Sequence, residues 1–299
     1  MAVNLFFERS GEVRTGWRLL AGAVLMVFCV SVALFVWLAL PGRNLHGQAL
    51  AALSGVLLAS WIMTRFVNRK PLAAIGLGFG PGVWKDLGTG AIVGVLAMGF
   101  VTLALAVTGG VTFVTKQLSV PDGTWIAGSA AVYTALAAMA EEVTFRGYLF
   151  QTLTQAITLL PSSLIMSGIF LLAHSWNPSS GMLAFINLGL AGLLFSAAYA
   201  KTKRLWLPVG IHWGWNYAQG TLFGFPTSGI VVQDRALLTA AVHEPHWWTG
   251  GAFGPEGGLA ATVIVMATLW YVLVAGRFKP PASVVTLDSL EDLVTFSKN

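Results

Sequence analysis

WRLLAGAVLMVFCVSVALFVWLAL, residues 17–40, holds one charged side chain, Arg18, in a run long enough to cross a bilayer, for which about 20 apolar residues suffice. Working outward, seven more apolar segments follow: Gln48 to Met63, Leu87 to Thr108, Trp125 to Phe150, Leu164 to Trp176, Met182 to Ala200, Leu205 to Phe223 and Leu259 to Ala275. The composition agrees, with 56% hydrophobic and 10% charged residues against the roughly 25% charged of a soluble domain. The reading is all-α: a polytopic membrane helix bundle of about eight transmembrane helices, with residues 1–299 one membrane domain. The fifth segment is short and carries serines, as a helix facing the bundle interior or a re-entrant segment does. Glu8 and Glu12 interrupt the basic leader, and the first run exceeds a usual signal core, so that run is expected to remain as an anchor.

The positive-inside rule tests the map, because lysine and arginine collect in cytoplasmic loops. One side receives Arg9, Arg14, Arg18, Arg65, Arg69, Lys70, Lys85, Lys201, Lys203, Arg204, Arg277, Lys279 and Lys298, while the other receives Arg43, Lys116 and Arg235. This alternation predicts a multi-pass protein of a cell (inner) membrane with both termini cytoplasmic. The net charge of +5 therefore serves to orient helices, and no nucleic-acid partner is expected. The single cysteine, Cys29, excludes a disulfide framework. Residues 109–122 form a turn-rich outer loop, 224–258 a longer one with Pro, Gly and Trp, and 280–299 a cytoplasmic tail, interfacial or mobile.

Ionisable groups near a bilayer centre cost about 2.5 to 3.5 kcal/mol each on insertion scales, so they are rare and usually functional or paired. Ten of the twelve acidic residues fall in expected loops or tails, and Glu141 and Glu142 do not. Glu142 and Arg146 are four apart on the fourth helix and can pair on one face, whereas Glu141 points about 100° away. An ion pair that merely locks helices together is the plain alternative. Further polar residues weigh against it: His174 in the fifth segment, and His212 and Asn216 one turn apart in the seventh.

These residues resemble the CAAX protease and bacteriocin-processing family of intramembrane proteases, which includes the type II CAAX prenyl endopeptidases. Three ordered motifs carry the resemblance: Glu141-Glu142-x-x-x-Arg146, Phe170-x-x-x-His174, and His212-x-x-x-Asn216 preceded by Leu207-Pro208. They lie in residues 125–223, the motif-bearing catalytic core, and the first three helices and the tail add nothing to the match. The resemblance implies a glutamate peptidase in which Glu141 and His174 hold and deprotonate a water while His212 and Asn216 stabilise the oxyanion. Glu142, Arg146 and Phe170 take supporting roles. The substrate implied is a peptide or protein, prenylated or not, met at the bilayer, with no cofactor. Water must reach such a site through a polar cavity, which the family opens to the cytoplasmic face.

A zinc-dependent endopeptidase built on the same residues is one rival, since two histidines, a glutamate and a water make a usual catalytic zinc shell. Against it, the sequence has no His-Glu-x-x-His helix. A proton-linked transporter is another, because buried Glu, Arg and His also build ion relays, though no internal repeat is present. A catalytically silent scaffold is the third. The run His243-Glu244-Pro245-His246 invites a metal reading, but proline breaks the spacing that would align its histidines, and a lid or interfacial loop is expected there.

Overall fold

The computed structural model describes residues 6, 13–231 and 236–280. Each expected apolar segment contains a helix, with shifted ends. The first three are α1 (Thr15–Ala39), α2 (Leu45–Ile62, extended by a π-helical turn to Val67) and α3 (Val83–Val107). Then come α4 (Val120–Arg146), α5 (Tyr148–Ile157), α6 (Leu159–Ala173), α7 (Met182–Thr202) and α8 (Trp206–Tyr217, followed by a π-helical turn to Leu222). A short turn, α9 (His246–Thr249), precedes α10 (Leu259–Val274).

Among the described residues, five helices are long and apolar enough to cross a membrane: α1, α2 with its extension, α3, the joined α4–α5 run Val120–Ile157, and α7. The segments expected as the fifth and eighth spans, α6 and α10, are apolar but shorter. Large apolar side chains such as Val27, Phe35, Phe100 and Trp270 are more than half exposed on the outside of the bundle. Lipid is the solvent that such a surface fits, so this is an integral membrane protein.

Three expectations are corrected. The fourth segment is not one helix: it breaks at Gly147, where an added Cβ would meet the Val143 carbonyl oxygen at 2.2 Å, so only glycine lets the chain turn there. The bundle is helical as expected, but its outer loops are not wholly irregular: they supply two strands, β1 (Val111–Thr115) and β2 (Leu238–Val242). These pair antiparallel with Val111 opposite Val242. Finally, α6 ends at Ala173, which leaves His174 as its cap in place of an interior position. Of the expected tail, residues 281–299 lie outside the described residues.

The tightest packing in the bundle joins α3 to α8 through glycines spaced four apart on both helices, Gly90 and Gly94 against Gly210 and Gly214. A Cβ at these positions would stand 2.2 to 2.5 Å from backbone oxygens of the facing helix. Without side chains between them the backbones touch, the usual way membrane helices gain dispersion contact. The consequence is functional as well, since His212 sits between the two α8 glycines and is fixed in depth by that seam.

The bundle has two distinct ends. At one, segment 72–78 tucks beneath the helices: Gln151 Nε2 donates to the Ile75 carbonyl (2.7 Å), Leu205 N to Gly76 (3.0 Å) and Trp206 Nε1 to Gly78 (3.1 Å). Arg204 pairs with Asp86 there (3.4 Å). Asp86, expected in a loop, lies in the first turn of α3. At the other end, the β1–β2 ribbon and the described parts of the outer loop, 224–231 and 236–258, cover the helices. Asn177 Nδ2 donates to the Ser228 carbonyl (2.9 Å), and Trp248 Nε1 to Thr108 Oγ1 (2.9 Å).

Candidate active site

Adjacent positions on a helix face about 100° apart, and α4 uses this to separate two carboxylates. Glu142 points inward and is fully buried, whereas a third of the Glu141 side chain remains accessible. Arg146, one turn on and also fully buried, sets its Nη1 3.3 Å from Glu142 Oε1. Its Nη2 donates to the Gly192 carbonyl of α7 (2.9 Å), and its guanidinium carbon lies 5.1 Å from the ring centres of both Phe170 and Phe195. The cation is thus balanced by a carboxylate and by ring faces, as a charge away from water requires.

Both histidines have one ring nitrogen committed and the other directed at Glu141. His174 Nδ1 lies 2.8 Å from the Phe170 carbonyl oxygen, which can only accept, so this nitrogen carries hydrogen. Its Nε2 lies 3.8 Å from Glu141 Oε2. His212 Nδ1 lies 2.9 Å from Glu142 Oε1, and its Nε2 again lies 3.8 Å from the same Glu141 Oε2. That oxygen has no hydrogen-bond partner among the described residues. Aromatic packing holds both rings: Phe195 stacks on His212 at 4.7 Å and 15°, and Phe170 lies 4.5 Å from His174.

Glu141, His174, His212, Asn216 and Phe170 line one cavity of about 190 Å³. A water needs roughly 10–15 Å³, so the space accommodates several. Glu142 and Arg146 are not in its wall; they stand behind His212 and Glu141. The sequence reading missed Phe195 and Gly192, which look like any apolar-helix residues, and Glu256, which sits in a glycine-rich loop where an acid is ordinarily solvated. Glu256 instead reaches the cavity wall. Its Oε1 accepts from Trp215 Nε1 (3.1 Å), and its Oε2 accepts from Ser228 N (2.7 Å) and Oγ (2.8 Å). His243 and His246 do not converge: the first contacts Thr112 Oγ1 (2.9 Å) and the second its own neighbour Glu244 (3.3 Å).

Residues 123–218 match the family described as type II CAAX prenyl endopeptidase Rce1-like. Over this stretch the chain is Rce1-like. The Rce1-like segment runs from the first turn of α4 to the end of α8 and contains all three motifs. The match likens this third of the chain to CAAX-type membrane peptidases, which act on peptides or proteins. It leaves out α1 to α3 and loop 224–258. No curated protein and no solved structure matched the chain.

Proposed function

We propose that the chain is an intramembrane endopeptidase in which Glu141 and His174 activate a water against the scissile carbonyl. The observation that carries this reading is the convergence of two Nε2 atoms on one buried Glu141 oxygen inside a cavity with room for water. With its Nδ1–H given to Phe170, neutral His174 presents a lone pair at Nε2, suited to accept a water proton beside the carboxylate. The water oxygen bonds to the carbonyl carbon, and its proton passes to Glu141 or His174. His212 and the Asn216 amide donate to the oxyanion. To donate through Nε2, His212 must carry hydrogen on both nitrogens, and the buried Glu142 carboxylate receives the first. Collapse breaks the C–N bond, the held proton goes to the leaving nitrogen, and a carboxylic acid and an amine depart.

On this reading the bundle spans the membrane eight times, with α6, α8 and α10 as short spans around the site and both termini cytoplasmic. The alternation of basic loops supports that count. Lipid surrounds the bundle, and the substrate is prenylated or unprenylated. The test is digestion of a peptide library, including prenylated members, by the purified chain in lipid. Glu141→Ala, His174→Ala and His212→Ala are each expected to lower turnover by at least about 10²-fold while the fold survives. Activity that vanishes with a chelator and returns with zinc would move the assignment to the metal-dependent rival. Substrate flux without cleavage would move it to a transporter.

A further inference from the structure

The basic loops and the cavity lie at opposite ends of the molecule. On α4 the cavity wall runs from Glu141 back through Thr134 to Ala130, roughly 16 Å of helix toward Val120 at 1.5 Å per residue. On α8 it runs from His212 forward through Asn216 and beyond the helix to Thr221. Asn177, Ser228 and Glu256 complete it at the end that carries the strand pair, and Ile230, at its rim, is 53% exposed. In the other direction the way is shut. Glu142, Arg146, Tyr148, Ile75 and Leu205 show no exposed surface, and segment 72–78 is bonded across that end.

The shut end is the basic one. It carries Arg14, Arg65, Lys70, Lys201 and Arg277 among others, while the open end carries only Arg43 and Lys116 among the described residues. Cytoplasmic loops hold the excess of lysine and arginine. We infer that the cavity opens on the non-cytoplasmic face, so that the substrate is a polypeptide segment on that side of the membrane, exported or anchored there, and not a lipidated C-terminus in the cytoplasm. The resemblance implied the cytoplasmic face; the placement of the cavity wall is what turns the assignment round. The word substrate rests on the peptidase proposal above, whereas the face of access does not.

Single-cysteine variants decide the question without any need for turnover. In a Cys29→Ala background, which removes a buried thiol, four positions are compared. Glu244→Cys marks the strand-pair end (side chain 75% exposed) and Phe79→Cys the basic end (81% exposed). Ile230→Cys reports the rim, and Thr134→Cys the wall. Sealed right-side-out vesicles from expressing cells are treated with a charged, membrane-impermeant methanethiosulfonate. The expected result is reaction at 244, 230 and 134, with reaction at 79 only after permeabilisation. Reaction at 79 but not at 244 in sealed vesicles overturns the orientation. Reaction at 134 and 230 only from the side of 79, or from neither side, overturns the access route. Ile230→Cys keeps the test intact if the wall variant fails to fold. A second arm adds quenched, membrane-impermeant peptides to right-side-out and inside-out vesicles, with cleavage expected only in the former. If labelling follows the expected pattern and neither vesicle cleaves, the peptidase reading fails and the access inference stands. Cleavage only by inside-out vesicles overturns the inference.

Discussion

Arg146→Met removes the guanidinium that faces Glu142, and its cost follows from the geometry. Both side chains are fully buried, with Nη1 3.3 Å from Oε1. At an effective dielectric of ~20, the attraction across that distance is about 5 kcal/mol before desolvation is counted. Removing one partner of a buried pair typically costs about 3–5 kcal/mol, because the remaining charge stays buried and uncompensated. The lost contacts with Phe170 and Phe195 add about 0.5–2 kcal/mol. The Gly192 carbonyl is not orphaned, since Ser196 Oγ also donates to it (2.9 Å), so no further penalty enters there. A loss near 4 kcal/mol is therefore expected, read by reversible unfolding in mixed micelles with increasing denaturing detergent. In the double variant Glu142→Gln/Arg146→Met both charges are gone, and stability should recover by about 1–3 kcal/mol relative to the sum of the single losses. It should still lack turnover, because His212 has lost its anionic partner. If Arg146→Met unfolds within about 0.5 kcal/mol of the parent, the size of a neutral surface change, the buried pair is not what holds α4 in place.

Other outcomes follow from the same coordinates. Gly94→Ala and Gly214→Ala place a Cβ 2.2 Å from the Ile211 and Ala91 oxygens; each should cost at least about 1–3 kcal/mol by overpacking and lower turnover by displacing His212. Gly99→Ala, with nothing within 4 Å, serves as the control and should change neither. Asn216→Ala should lower kcat about 10²- to 10³-fold with KM and unfolding unchanged, as loss of an oxyanion donor does; an unchanged kcat removes Asn216 from the mechanism. Glu256→Ala leaves the Trp215 indole and the Ser228 amide without their acceptor, at about 1–3 kcal/mol for each group left buried. Hydrogen exchange at Ser228 and its neighbours should then accelerate, and exchange at the parent rate would show that Glu256 does not anchor the loop.

The membrane class and the helix positions were legible because lipid imposes its demand on composition and run length, which a sequence displays directly. The Glu142–Arg146 pair was legible for a similar reason, being a matter of spacing within one helix. What required coordinates was everything set between helices. Phe195 stacks on His212 and Gly192 offers its carbonyl to Arg146, yet neither differs in sequence from a residue facing lipid. Glu256 reaches the cavity because its segment of the outer loop folds over the helices, pinned by Asn187 Nδ2, which donates to the Glu256 and Gly258 carbonyls. The kink after Arg146 was written in Gly147, but a lone glycine in an apolar run does not distinguish a break from a packing contact. The side on which the cavity opens depends on where segment 72–78 tucks in, and no local pattern announces that.

In the proposed reaction Glu141 directs a water onto a peptide bond. Digesting a cleavable peptide in ¹⁸O-labelled water and weighing the products tests it most directly. One labelled oxygen is expected in the new carboxyl group formed by the parent chain, and no such product from folded Glu141→Gln. Undiminished labelled product from Glu141→Gln would contradict it.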